Sequence, residues 1–482
     1  MEEDIIGRDA EKSILDDVVN AEEAQLIAVY GRRRVGKTYL IKTYLKKNIT
    51  FEYAGVHKIT SKMQIKKFVK KMVADLNDNV ALPIPADWFD TFDLLETLLE
   101  KKLRRKKVVL FLDEFPWMQK PKSNFLAAFE NFWNSWASLQ KNIVVVICGS
   151  SASWMIKNVV RNKGGLHNRL TQKIALLPFS LHETEQFLQK RKIFLNQYQI
   201  TQIYMAMGGI PKYLSHIKAG FSATQIIDQA CFTKNGWLYE EFTELFYSLF
   251  DTPERYIKII RALANKPMGL NRTQLIKSCK LPTGGSATDF LDELSASGFI
   301  TLYLPMGKQK KDGIYKLTDE FSLFYLKFME ANRTGAKGTW ALLSNSPSWK
   351  SWSGLAFEKI CLKHTEAIKQ ALSIAGIYSE TSIWKSKTVK TGNAAQIDLV
   401  INRKDNCINL CEIKFYENDF MIEKKYAAEL ENKKIRFKEE TKTTKQLFIT
   451  LISTKPLIHT INSVGLIDNV ISLDKLFIKT IL

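Results

Sequence analysis

The run Gly31-Arg32-Arg33-Arg34-Val35-Gly36-Lys37-Thr38 fits the pattern G-x-x-x-x-G-K-[ST], and its flanks restrict what can be built around it. Before it, Gln25-Leu26-Ile27-Ala28-Val29-Tyr30 is an apolar run of strand length; after it, Tyr39-Leu40-Ile41-Lys42-Thr43-Tyr44-Leu45 can continue as a helix. Strand, loop and helix in that order is the setting in which this pattern holds phosphate. Glycines let the backbone curl so that amide N–H groups point inward. Lys37 supplies a positive charge for β- and γ-phosphates, and the Thr38 hydroxyl is a Mg²⁺ ligand. The loop also opens a helix N-terminus, which favours anions. Gly31 to Thr38 is thus the expected nucleotide-binding set.

A second signal is Lys107-Val108-Val109-Leu110-Phe111-Leu112-Asp113-Glu114, which reads as a buried parallel strand ending in two acids. Asp113 can hold the Mg²⁺ shell and Glu114 can orient and polarise the attacking water. Asn142 to Ser151 reads as a third buried strand ending in small polar residues. Ser150 or Ser151 either senses the γ-phosphate or caps the next helix. Arg169 lies in the loop Gly164-Gly165-Leu166-His167-Asn168-Arg169-Leu170, before a short strand at 173–177. It is either an arginine finger or a surface ion-pair residue.

The chain has 482 residues, too many for one ordinary domain. Its 70 basic and 50 acidic residues give a formal charge of +20. Such an excess marks either a polyanion partner or a lysine-rich solvated surface. The six cysteines form no C-x-x-C and have no histidine pair nearby, which argues against zinc and fits a reducing, cytoplasmic setting. The acidic start lacks a signal-peptide core, and no apolar run approaches membrane-spanning length, so no membrane partner is expected.

Ile5-Ile6-Gly7-Arg8 precedes a helical pattern and is placed where it can cover a nucleotide base. From Ser180 the pattern is helical, with a capping signal at its start and a break at Met207-Gly208-Gly209-Ile210-Pro211-Lys212-Tyr213-Leu214. Helices are predicted from Pro253 to Leu263, from Asn271 to Ser278 and after Gly284-Gly285. Strands at 299–304 and 313–317 follow, around a basic tip Lys308-Gln309-Lys310-Lys311-Asp312. Three helices then a β-hairpin is the winged-helix order. Residues 333–352 carry Gly, Ser and Pro and read as a connection. Beyond a helix from Gly354, strands are predicted near 377–389, at 395–401 and at 408–415. A lysine-rich helix over 421–438 and a strand from Gln446 to Ile452 close the chain. Glu412 and Lys414 share one strand face, and Asp398, ending the neighbouring strand, can join them. Two carboxylates and a lysine suit a hard cation with a charge partner for water.

Together, Gly31 to Thr38, Asp113-Glu114, Arg169 and the Gly208-Gly209-Ile210-Pro211-Lys212-Tyr213-Leu214 segment resemble the archaeal-type ATPases of the AAA+ group. These carry a C-terminal winged helix followed by a nuclease-like domain. The resemblance covers nearly the whole chain, and the Gly-Gly-Ile-Pro-Lys-Tyr-Leu segment and the Ile5-Ile6-Gly7-Arg8 start are its more specific parts. It implies an α/β fold: a P-loop NTPase core over 1–179, a helical lid over 180–249 and a winged helix with a following helix over 250–332. The connection 333–352 and an α/β nuclease-like domain over 353–482 complete the layout. It implies ATP and Mg²⁺ as cofactors, a homo-oligomer, and Arg169 at the position of the family's finger; the +20 charge and the basic tip make DNA the expected partner. It also makes the last unit similar to the PD-(D/E)XK nuclease fold. There the helix acid is Glu358, the strand acid Asp398, and the E-x-K pair Glu412 and Lys414. Glu358, Asp398 and Glu412 would bind the metal, and Asp398, Glu412 and Lys414 would carry catalysis. Ile397 stands where that fold has proline.

Two functions follow. The first is ATP hydrolysis coupled to DNA binding or to cleavage by the last domain. The second is a nucleotide-dependent switch whose winged helix binds DNA or protein, with a non-catalytic scaffold behind it. The Glu358, Asp398, Glu412 and Lys414 set favours the first.

Overall fold

A computed structural model describes residues 5–77, 80–161, 164–250, 252–282, 284–333, 335–386 and 395–480. The acidic start at 1–4 and the expected strand positions 387–389 lie outside them. The chain forms two compact units, residues 1–178 with 292–298, and residues 179–291 with 299–482.

The first unit is built on β1 (Gln25–Tyr30), β2 (Ile49–Ala54), β3 (Val108–Asp113), β4 (Ile143–Gly149) and β5 (Gln172–Ala175). They form one parallel sheet in the order β2-β3-β4-β1-β5. β3 and β4 are buried along their whole length, as expected of strands covered on both faces. Their Val/Ile/Leu runs leave no polar side to face water. The helices α1 (Asp9–Asn20), α2 (Lys37–Tyr44), α3 (Ser61–Leu76) and α4 (Trp88–Leu103) flank the first strands. Thr60 caps α3 by accepting from Met63 N, and Asp87 caps α4 by accepting from Phe89 N and Asp90 N. An aromatic core closes one face: Phe68 meets Trp88 at 5.5 Å, and Trp88 meets Phe125 at 4.8 Å, both edge-on.

The second unit begins with helices. Ser180 and Glu183 make the predicted reciprocal cap of Leu181–Lys190, and Gln197–Met207 ends at Gly208 before Pro211 opens the next turn. The helices Pro253–Ala264, Arg272–Cys279 and Gly285–Ala296 follow in sequence. Near them in the chain, β6 (Leu270–Asn271), β7 (Ile300–Tyr303) and β8 (Ile314–Leu317) form an antiparallel sheet in the order β6-β8-β7. Lys308 and Lys311 between β7 and β8 are exposed.

The C-terminal strands are β9 (Ser379–Lys385), β10 (Gln396–Arg403), β11 (Cys407–Lys414), β12 (Phe420–Met421), β13 (Gln446–Ser453), β14 (Leu457–Ile458) and β15 (Asn469–Ser472). Five of them make a mixed sheet in the order β15-β13-β11-β10-β9, and β12 pairs with β14 apart from it. β9, β10 and β11 run antiparallel, whereas β11, β13 and β15 run parallel. Asp398 was expected to end its strand; it lies near the start of β10. The antiparallel register still brings that start beside the end of β11, since Leu399 pairs with Cys411.

Within residues 335–352, read as part of a connection, lie the helix Thr339–Leu343 and the first turns of Pro347–Lys363. Trp340, Trp349 and Trp352 in that stretch are buried with Phe324 and Phe328. The Gly, Ser and Pro residues shape caps and turns here, while the tryptophans supply apolar area that holds the segment down. Among the described residues, no helix is long and apolar enough to cross a membrane.

Candidate nucleotide site

The C-terminal ends of β1, β3 and β4 meet at one edge of the parallel sheet, where ligands bind in open α/β folds. Gly31 leaves β1 at φ +146°, and a Cβ there would stand 2.3 Å from the Leu176 carbonyl oxygen, so only glycine fits. Gly36, at φ +93°, caps the start of α2 in a left-handed conformation that side chains resist. Between them Arg32 and Val35 are buried, and Arg33 and Arg34 half-buried.

Lys37 is folded into the loop it follows. Its ammonium donates to Gly31 O at 3.0 Å and Arg32 O at 2.9 Å. Burial lowers its pKa from the usual value, while Cys148, Glu114 and Asp113 nearby pull it back up. Thr38 Oγ1 donates to Asp113 Oδ2 at 2.7 Å, bringing the loop hydroxyl and the β3 carboxylate together. Hydroxyl and carboxylate are hard oxygen donors, so this pair suits Mg²⁺ chemically. Arg8, in the segment placed ahead of the loop, donates to Val35 O at 3.4 Å, so that segment does reach the phosphate loop.

Glu114 adopts φ 45°, a left-handed conformation uncommon outside glycine. Its Oε2 accepts from Ser150 N at 3.1 Å and Ser150 Oγ at 2.7 Å. Ser150 therefore holds Glu114, and Ser151, not Ser150, stands at the N-cap of the next helix. Ser151, at the start of the next helix, makes no side-chain cap. The composition of the strand end had pointed to Ser150, but not to its partner.

Arg169 is exposed and lies two residues before Thr171, whose N–H bonds Leu26 O at the start of β1. The phosphate loop leaves the other end of β1, roughly 16 Å away at strand rise. Arg169 thus lies toward the end of β1 opposite the phosphate loop.

The C-terminal acids are brought together, but not as a metal cage. Glu412 is buried; its Oε1 lies 2.9 Å from Lys414 Nζ and accepts from Tyr426 OH at 3.0 Å, and its Oε2 accepts from Lys433 Nζ at 2.7 Å. Burial would push its carboxyl up, but Lys414 and Lys433 hold it below its usual range. Asp398 Oδ2 accepts from Ile413 N at 3.0 Å. Burial, then the charges of Glu412 and Glu358, push its pKa up to about 7. Glu358 instead meets Lys316 at 3.3 Å. Among the described residues no three acids, histidines or cysteines are grouped to hold a metal. Of the expected metal set Glu358, Asp398 and Glu412, Glu412 is paired with Lys414 and Lys433 and Glu358 with Lys316, while the charges of Glu412 and Glu358 both act on Asp398. Tyr426 and Lys433, on the helix Lys424–Thr441, were not singled out in the sequence.

Residues 6–217 match the family described as an ATPase domain predominantly from Archaea. An uncharacterised protein of Methanocaldococcus jannaschii is 23% identical over 414 residues, spanning 85% of this chain and 87% of that protein. The Walker-type ATPase of Pyrococcus abyssi is 16% identical at TM-score 0.46, covering 67% of this chain and 96% of its own. The ORC2 protein of Aeropyrum pernix, solved with ADPNP and ADP, is 13% identical at TM-score 0.41, covering 72% and 97%. The loop, the acid pair and the parallel sheet all lie within residues 6–217, the part of the chain that is similar to this family of ATPase domains.

Proposed function

We propose that this protein is a Mg²⁺-dependent ATPase that couples turnover to DNA binding, each active site being completed by Arg169 of a neighbouring copy. The observation that carries the reading is the 2.7 Å bond between Thr38 and Asp113, with Lys37 closed into the same loop. Thr38 and Asp113 would hold Mg²⁺, which neutralises phosphate charge when bound. Lys37 would pair the phosphates, and Glu114 would take up and orient the attacking water. Arg169 stands at the wrong end of β1 for its own chain, which supports action on a neighbour. The test is ATP hydrolysis with and without Mg²⁺, and in Glu114→Gln. Turnover should require the metal and fall on the order of 10²-fold or more in the variant while nucleotide binding persists. Metal-independent turnover, or wild-type turnover in Glu114→Gln, refutes it.

For DNA, the supporting features are the +20 charge and the winged-helix order of elements over 250–332, with exposed Lys308 and Lys311 at the tip. Asp289 on the third helix is exposed and repels phosphate, so the basic tip is the better contact. The sheet β15-β13-β11-β10-β9 with its Glu358, Asp398, Glu412 and Lys414 supports a nuclease-like fold, as the sequence led us to expect. The pairing of Glu412 with Lys414 and Lys433 favours the non-catalytic form of that domain, so we derive no cleavage step from it. Plasmid incubated with Mg²⁺ or Mn²⁺ should stay intact; nicking lost in Asp398→Ala would restore the cleavage reading.

A further inference from the structure

Gln64 is wholly buried on α3. It lies on the apolar stripe of that helix, four residues before Phe68 and on the face of Val69 and Met72. A buried amide at such a position costs free energy unless all its hydrogen-bonding capacity is used. Here it is. Gln64 Oε1 accepts from Tyr53 OH at 2.7 Å and Val56 N at 3.2 Å. Gln64 Nε2 donates to Val56 O at 2.8 Å and to Trp117 O at 2.9 Å.

Those partners belong to two loops that leave the sheet at its ligand-binding edge. Val56 follows β2, and Trp117 belongs to the turn that begins at Glu114. The same loops are joined again by Gly55 N, which donates to Asp113 O at 2.9 Å, and Trp117 N closes the turn onto Glu114 O at 2.9 Å. Glu114 itself is held at φ 45°, a conformation of the kind that persists only where its surroundings over-determine it.

We infer that Gln64 is a positioning residue for ATP hydrolysis: it braces the turn after β3 against the loop after β2 and so fixes Glu114 toward the attacking water. The inference rests on Glu114 as the water-orienting group. Gln64 touches neither nucleotide nor water in this role; it acts through Trp117 and the backbone of Glu114. Misplacing a catalytic group by a fraction of an ångström lowers turnover without weakening substrate binding.

The test is steady-state ATP hydrolysis by the full chain in Gln64→Met, Glu114→Gln and the double variant. Methionine keeps length and apolar volume but loses all four bonds. In Gln64→Met, kcat should fall on the order of tenfold while KM for ATP stays within about twofold. In the Glu114→Gln background the same change should produce no further loss, because the group it positions is already gone. If Glu114→Gln hydrolyses like wild type, the reading of Glu114 fails. If Glu114→Gln is impaired but Gln64→Met keeps wild-type kcat, or the two losses multiply in the double variant, the role of Gln64 fails. Should Gln64→Met not fold, Tyr53→Phe removes the 2.7 Å bond into Gln64 Oε1 and keeps the ring. A several-fold fall in kcat at unchanged KM is then expected, and wild-type kcat overturns the inference.

Discussion

Ser150 gives both its backbone N–H, at 3.1 Å, and its hydroxyl, at 2.7 Å, to one oxygen of Glu114. The residue following β4 thus holds the residue following β3 by two bonds, of which an alanine in its place removes only the second. Ser150→Ala keeps the backbone bond. A hydrogen bond to a charged group contributes about 1.5–3 kcal/mol, so kcat should fall on the order of ten- to a hundredfold with nucleotide affinity unchanged. Titration with a fluorescent ATP analogue alongside turnover separates the two; weakened binding with unchanged kcat would show that Ser150 serves the loop and not Glu114.

Arg169 and Lys37 can be tested as a complementing pair. Each of Arg169→Ala and Lys37→Ala should lack turnover, since a finger contributes on the order of 10³ in rate and Lys37 pairs the phosphates. Mixed, they should regain part of it, because one chain keeps an intact loop and the other an intact arginine. Specific activity that ignores protein concentration, with no gain on mixing, would place the whole site in one chain.

The basic tip should register as salt dependence. If Lys308 and Lys311 contact phosphates, DNA affinity falls steeply with salt, and replacing both with alanine weakens binding and flattens the slope by about two contacts' worth. Gel shifts across a salt series measure this. An unchanged slope in the variant would move the DNA surface elsewhere on the chain.

Asp398 makes stability depend on pH. Its carboxyl, usually near 3.8, titrates at about 7 in the folded chain. Between those values the unfolded chain has released the proton and the folded chain still holds it. Stability therefore falls as pH rises from about 4 to about 7, then levels. Asp398→Asn keeps an acceptor for Ile413 N and removes the titration. The variant should melt higher than wild type above pH 7 and lose the difference near pH 4. Parallel melting curves across that range would mean the folded chain does not hold the proton.

The loop, its strand and its helix were legible in the sequence because each is local: an apolar run, two glycines with one backbone task each, and a lysine and threonine at fixed offsets. Asp113 and Glu114 were legible for the same reason, as a buried run stopping at acids. What joins them was not. Ser150 meets Glu114 only because β3 and β4 are neighbours in the sheet, and Gln64 meets Trp117 only because α3 folds over β2. A polar residue on the apolar stripe of α3 was the one available sign of Gln64. In the C-terminal sheet the acids were found from strand alternation, but Lys433 and Tyr426 come from a helix whose facing side no spacing on β11 reveals. The helices within 335–352 were not foreseen, because the turn formers there were weighed above the tryptophans.

That stretch bears on how the protein can be taken apart. A cut placed there to release the C-terminal sheet would separate Trp340 from Phe232, which stacks on it at 5.7 Å, or Trp349 from Trp340, 5.1 Å away. Either fragment would carry a raw aromatic face into water and would tend to precipitate or cling to chaperones. Limited proteolysis should accordingly spare 339–352, and dissection of the activities is better done by point substitution in the intact chain.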